Sequence, residues 1–179
     1  MKARDFLLLG ASLFLAVPLF AAEFDEDTLS ETDPIVAAPS IPNVCYDTLE
    51  GTQFCTHDNV GKVQVYIYNA GWCGPCNSEM HELSQDTAQF EGKPVVFASL
   101  SGEGWSRGTK PNAVFMGEWK AKHGIPFVVA GKFRDFGKAF NSPGSIPFAV
   151  IVDKKGDVSK SGFLSANDIT NRVRQLLNN

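Results

Sequence analysis

Apolar residues collect in three nearly continuous runs. They are Val63-Gln64-Val65-Tyr66-Ile67-Tyr68-Asn69-Ala70, Pro94-Val95-Val96-Phe97-Ala98-Ser99-Leu100, and Ile146-Pro147-Phe148-Ala149-Val150-Ile151-Val152. Short β-rich runs without alternation read as strands buried on both faces. Between the first two, a segment from about Pro75 to Phe90 reads as a helix. A Gly-containing loop, Ser101 to Thr109, follows the second run and carries Glu103, Trp105 and Arg107. Residues 112–123 then suit a helix with Val114, Phe115 and Trp119 apolar, Ile125 to Val129 a short strand, and Phe133 to Phe140 a short helix with its aromatics in the core. After the third run, Lys154-Lys155-Gly156-Asp157 is a turn and Val158 to Phe163 pairs back. Ala166 to Leu177 is an amphipathic helix with Ile169, Val173, Leu176 and Leu177 on one face, capped by Ser165 or Asn167. At the front, Val44 to Thr56 reads as a hairpin around Leu49-Glu50-Gly51-Thr52. The order predicts an α/β fold, a central mixed sheet flanked by helices.

The first forty residues follow another pattern. Lys2 and Arg4 precede an apolar stretch from Phe6 to Ala22, the plan of a secretory signal. Ala21-Ala22 offers a small-residue cleavage site, but Leu19 or Phe20 stands where a second small residue is usual. Residues 1–22 therefore read as a signal peptide or as an N-terminal membrane anchor, at about 17 apolar residues near the short limit for a span. Residues 23–42 are acidic, then Pro- and Ala-rich, and read as a flexible linker; 43–179 is the folded domain. Both readings of the leader place the domain in a periplasmic or otherwise extracytoplasmic compartment. The formal net charge is −4. With no basic run and no basic–aromatic interleaving, nucleic-acid binding has no support.

Chemistry concentrates in Gly71-Trp72-Cys73-Gly74-Pro75-Cys76. A strand delivers two cysteines, spaced C-x-x-C, to the first turn of a helix. Free N–H groups and the positive dipole end favour a thiolate there, the reactive form of cysteine. Cys76, three residues on, shares a face with Cys73 and can close a small disulfide ring. Pro75 costs little where the N–H has no helical partner. No second C-x-x-C or His pair completes an ordinary four-ligand zinc site, so neither metal nor cofactor is expected. Cys45 and Cys55 lie symmetrically about Glu50 in the hairpin, where opposed residues come close enough for a disulfide. In an oxidising compartment this is first a structural staple. A second redox pair that relays electrons, or a metal-ligating pair, are the other readings.

The string Trp-Cys-Gly-Pro-Cys in a strand–helix context resembles the redox centre of the thioredoxin superfamily. The hairpin, Gly61-Lys62 before the motif strand and the extra segment at about 101–132 are similar to the extracytoplasmic thiol–disulfide oxidoreductases of the TlpA and ResA type, over roughly residues 43–178. The resemblance implies a thioredoxin-like fold with an N-terminal hairpin and a central insertion. It implies that Cys73 attacks and Cys76 resolves, with Trp72, Gly74 and Pro75 around them. It also implies a cis peptide at Ile146-Pro147 whose backbone faces the site; Pro126 and Pro143 open no comparable strand. Trp72 flanks the motif or is simply a core residue. Glu79, His81 and Glu82 read as solvated helix-face residues, and His57 and His123 remain unassigned. One departure stands out: thioredoxins carry a buried Asp six residues before the first motif cysteine, and here that residue is Ile67. Another carboxylate, Glu103 being a weak candidate, or water is left as proton acceptor.

The function implied is exchange of disulfides with exported proteins, an apocytochrome c or another oxidoreductase among them. The Gly-Pro dipeptide leans towards a reductant. Two alternatives share the fold. A thiol peroxidase places its cysteine similarly, but the Pro and Thr of that pattern are absent upstream of Cys73. A copper-binding module uses C-x-x-x-C, one residue longer than the spacing here.

Overall fold

A computed structural model describes residues 40–179. Residues 1–39, with the leader and most of the linker, lie outside the described residues. The described residues hold seven strands: β1 (Cys45–Thr48), β2 (Gln53–Cys55), β3 (Val63–Ala70), β4 (Val95–Glu103), β5 (Val128–Gly131), β6 (Phe148–Val152) and β7 (Val158–Gly162). Three α-helices join them: α1 (Gly74–Asp86), α2 (Ala113–His123) and α3 (Ala166–Leu177). The strands form one mixed sheet in the order β2-β1-β5-β4-β3-β6-β7. β3 lies inside the sheet, parallel to β4 and antiparallel to β6. The architecture is that of the thioredoxin-like α/β fold.

All eight residues of β3 are buried, which is why its apolar run does not alternate. Val63, Val65 and Ile67 join a core with Met80 and Leu83 of α1, Trp119 of α2, and Ile169 and Val173 of α3. Tyr66 and Tyr68 face the other way, into a cluster with Tyr46, Phe54, Phe140, Phe148 and Val150. There the hydroxyls of Tyr46 and Tyr68 are 2.7 Å apart and hydrogen bonded. Ser165 caps α3 through a capping box with Asp168; Asn167 does not.

Several boundaries differ from the sequence expectation. β4 runs to Glu103, three residues into the expected loop. Ser101 hydroxyl donates to Asn69 Oδ1 (2.7 Å), and Asn69 Nδ2 donates to Ser99 Oγ (2.8 Å), so these buried polar groups are satisfied within the sheet. The strand expected at Ile125 to Val129 begins at Val128, because Pro126 has no N–H for a ladder. The helix expected from Phe133 to Phe140 is only a 3₁₀ turn at Lys138–Phe140. Arg134 and Gly137 have φ of 59° and 82°, which breaks any helix. α1 ends at Asp86, and Thr87–Phe90 is a separate 3₁₀ turn. Ile41, expected in the linker, is buried and its N–H donates to Gly156 O (3.1 Å).

Cys45 pairs directly with Cys55 across the hairpin, and their sulfurs are bonded. Closing so short a loop constrains the unfolded chain by about 2–3 kcal/mol. The Cys45→Ser/Cys55→Ser variant should lose about that much stability in urea titration and keep its activity per folded molecule. Loss of activity with fold and Cys73–Cys76 potential unchanged would instead favour electron relay.

Candidate active site

The motif loop leaves the end of β3 and turns at once into α1. Cys73 N–H donates to Ala70 O (3.1 Å), and Gly71 N–H to Gly104 O (3.0 Å), which ties the loop to the residue after β4. Cys73 is the N-cap of α1, with extended backbone, and Gly74 and Pro75 occupy the first two helical positions. Its sulfur accepts the N–H of Cys76 at 3.2 Å. That hydrogen bond and the helix terminus both stabilise negative charge on Cys73 Sγ once the bond is reduced. Cys73 and Cys76 form a disulfide.

Cys73 is 3% exposed and Cys76 1%, so exposure does not separate the two sulfurs. The N-cap position does. The peptide bond Ile146-Pro147 is cis, and Ile146 O lies 3.8 Å from Cys73 Sγ. Without a proton on the disulfide sulfur this is a contact, not a hydrogen bond. Pro147 thus stands beside the motif, while Ile146 joins the core clusters as a half-buried residue.

Trp72 is half-buried against the core and anchored on both sides. Its Nε1 donates to Glu103 Oε2 at 2.7 Å, and the Arg107 guanidinium lies 3.8 Å from its ring centroid. Asn77 braces the loop, its Nδ2 donating to Cys73 O (2.7 Å) and Gly71 O (3.2 Å). Nothing in the sequence singled out Asn77; its role comes from where the first helical turn folds back.

Glu79 departs from the solvated reading. It is half-buried, and its Oε1 is buried without a hydrogen-bond partner among the described residues. Burial, and secondarily the Glu82 carboxylate, push its pKa from the ordinary 4.5 to about 7. It lies one turn beyond Cys76, the spacing at which helical side chains are neighbours. Glu103 is already engaged by Trp72, whereas Glu79 has an unengaged carboxylate oxygen. His81 and Glu82 are exposed. His123 packs edge to face on Trp119 with ring centroids 4.3 Å apart, and His57 Nε2 is 2.8 Å from Ile41 O; both are structural. Among the described residues, no three His, Cys, Asp or Glu side chains converge as metal ligands.

The raised Glu79 pKa has a stability sign. The folded protein holds this proton more tightly than the unfolded chain. Its contribution is therefore complete below about 4.5 and lost as pH rises to about 7. Urea titrations of the oxidised protein at pH 5 and 8 should show a fall that Glu79→Gln lacks, on the order of 1–2 kcal/mol after discounting partial exposure. An equal pH slope in both proteins would contradict the burial.

A family model described as Redoxin matches residues 37–176. The chain belongs to the Redoxin family. It is a thioredoxin-like oxidoreductase. Among solved structures it is similar to dsbF of MTB, at 24% identity and a TM-score of 0.63, with 76% of this chain and 99% of that one covered. A thiol:disulfide interchange protein from Chlorobium tepidum is also 24% identical, with a TM-score of 0.63 and coverage of 79% and 98%. A secreted Mycobacterium tuberculosis disulfide oxidoreductase homologous to E. coli DsbE is 22% identical, with a TM-score of 0.59 and coverage of 74% and 96%. Likeness at this identity carries the fold. No curated protein matches the chain. Among the described residues, no helix is long and apolar enough to cross a membrane.

Proposed function

We propose that this redoxin reduces disulfides of exported proteins through Cys73 and Cys76. The observation that carries the reading is Cys73 Sγ at the N-cap of α1, 3.2 Å from the Cys76 N–H. The Cys73 thiolate attacks one sulfur of a substrate disulfide. That S–S bond breaks, a mixed disulfide forms, and the first substrate thiolate leaves. Cys76 gives its proton to Glu79 and attacks Cys73 Sγ. The mixed disulfide breaks, the second substrate thiolate leaves, and Cys73–Cys76 is closed. Two electrons have passed to the substrate. The buried, unpartnered Glu79 oxygen supports its place as proton acceptor. Trp72, Gly74, Pro75, Ile146 and Pro147 shape the surface around the sulfur.

Action outside the cytoplasm is supported by the basic-then-apolar residues 1–22 and by the Cys45–Cys55 bond, which persists in oxidising compartments. A redox titration tests the direction. A reductant should titrate nearer the thioredoxin potential of about −270 mV than the DsbA value of about −120 mV. A value near the latter would reverse the assignment to oxidant.

A further inference from the structure

We propose that the rim beside Cys73 docks a protein partner whose exchangeable disulfide is flanked by Asp or Glu. This rests on the disulfide-exchange reading above. Residues 103–134 carry Arg107, Lys110, Lys120, Lys122, Lys132 and Arg134 against only Glu103 and Glu118, a local balance of +4 in a chain of −4. Both acids are engaged by indoles: Glu103 by Trp72, and Glu118 Oε2 by Trp105 Nε1 at 2.6 Å.

Four of the cations are held over aromatic rings. Arg107 lies 3.8 Å from the Trp72 centroid, and Lys122 5.0 Å from that of Trp105. Lys110 and Arg134 lie 5.9 and 5.0 Å from the Phe133 ring. Such contacts orient a cation without neutralising it. Ion pairs among the described residues are Lys120–Glu50 and Lys160–Asp168, so none of these four has a carboxylate partner there. All four are exposed.

The rim borders the reactive sulfur. A methyl group at Gly71 would come within 2.8 Å of Trp105 Cε3, so this indole abuts the motif loop. Lys122 Nζ donates to Asn77 Oδ1 (2.7 Å), and Asn77 holds Cys73 O. A shallow cleft of about 260 Å³, with Trp105, Lys110, Val114 and Phe115 in its lining, opens between these groups. Val114 is 68% exposed and offers an apolar seat within the ring of charge. Lys110 and Arg134 are tied to the end of β4, where the Arg134 N–H donates to Gly102 O (2.8 Å), and Gly104, the next residue but one, holds the motif loop through the Gly71 N–H. Unneutralised cations beside the motif loop, in a protein otherwise acidic, attract and orient a carboxylate-bearing partner and favour a redox partner over a lipid surface.

The test uses the reduced full chain and pairs of peptides, each with one internal disulfide, identical except for Glu or Lys beside the cysteines. The second-order rate constant should be about 10-fold higher for the Glu peptide at low salt, and the gap should nearly close when high salt screens the charges. Lys110→Glu/Arg134→Asp should cut that preference at least about three-fold while reduction of Cys73–Cys76 by dithiothreitol stays unchanged; Asp is chosen because it tolerates the positive φ at Arg134. Equal rates for the two peptides at low salt would overturn the proposal. So would binding to phosphatidylserine vesicles that the double variant abolishes, if no peptide preference accompanies it. If neither peptide is reduced although dithiothreitol cycles the pair, the exchange reading itself falls, and the rim with it.

Discussion

Cys73→Ser should abolish disulfide-reductase turnover, and Cys76→Ser should convert the protein into a trap. Cys73 is the N-cap residue, where its sulfur receives the Cys76 N–H and the terminus of α1. A serine there keeps the cap, since its hydroxyl accepts the same hydrogen bond, so the fold should survive. It cannot form a mixed disulfide. Cys76→Ser retains the attacking sulfur and its stabilising N–H but removes the group that expels the substrate. The mixed disulfide should then accumulate, visible as a covalent adduct on non-reducing gels. Because loss of either thiol stops the cycle, each variant should lose about 10³-fold or more in turnover, as removal of a catalytic nucleophile does. Turnover retained by Cys73→Ser, or adducts formed by Cys73→Ser and not by Cys76→Ser, would reverse or remove the assignment.

What the sequence disclosed and what it concealed divide along a physical line. The chain order of the elements, the motif between β3 and α1 and the hairpin that opposes Cys45 and Cys55 depend on local pattern, and all can be read from residues a few positions apart. The end of β4 cannot. Ser101 and Glu103 look like loop residues until Asn69 and Trp72, some thirty positions earlier, accept or donate their hydrogen bonds. Glu79 is concealed for the same reason. Ser78, His81 and Glu82 beside it are exposed, and only packing of α1 against the rest of the domain buries one of its oxygens. Phe133 to Phe140 misled in the other direction: the aromatics are spaced like a helix, but Arg134 and Gly137 sit at positive φ, which hydrophobic spacing does not report. The cationic rim is also assembled at a distance, from a loop, a helix and a turn that meet only at the end of the sheet.

Gly71→Ala is expected to lower turnover with protein substrates by about 10–100-fold, the range reached when a reacting group is displaced by about 1 Å. Gly71 is the residue that joins β3 to the motif, and three groups converge on its α-carbon. An added Cβ would lie 2.7 Å from Phe115 Cε2, 2.8 Å from Trp105 Cε3 and 2.9 Å from the backbone oxygen of Gly104. The two rings stand edge to face, 5.1 Å apart; Phe115 is buried against Trp119 and cannot move aside, and Trp105 can yield only by leaving Phe115. The Gly104 oxygen cannot retreat without lengthening its hydrogen bond from Gly71 N–H. Two outcomes are open to the chain, and both reach the site: the motif loop shifts, carrying Cys73 away from Ile146, or Trp105 is expelled and the rim opens. Overpacking of this kind also costs about 1–3 kcal/mol of stability. The disulfide itself is set by the first turn of α1, which the substitution does not touch. Reduction by dithiothreitol should therefore change far less than turnover with a protein substrate. A variant as active as the parent on protein substrates, with tryptophan fluorescence unchanged, would show that the loop absorbs the methyl group and that the aromatic wall does not fix the motif.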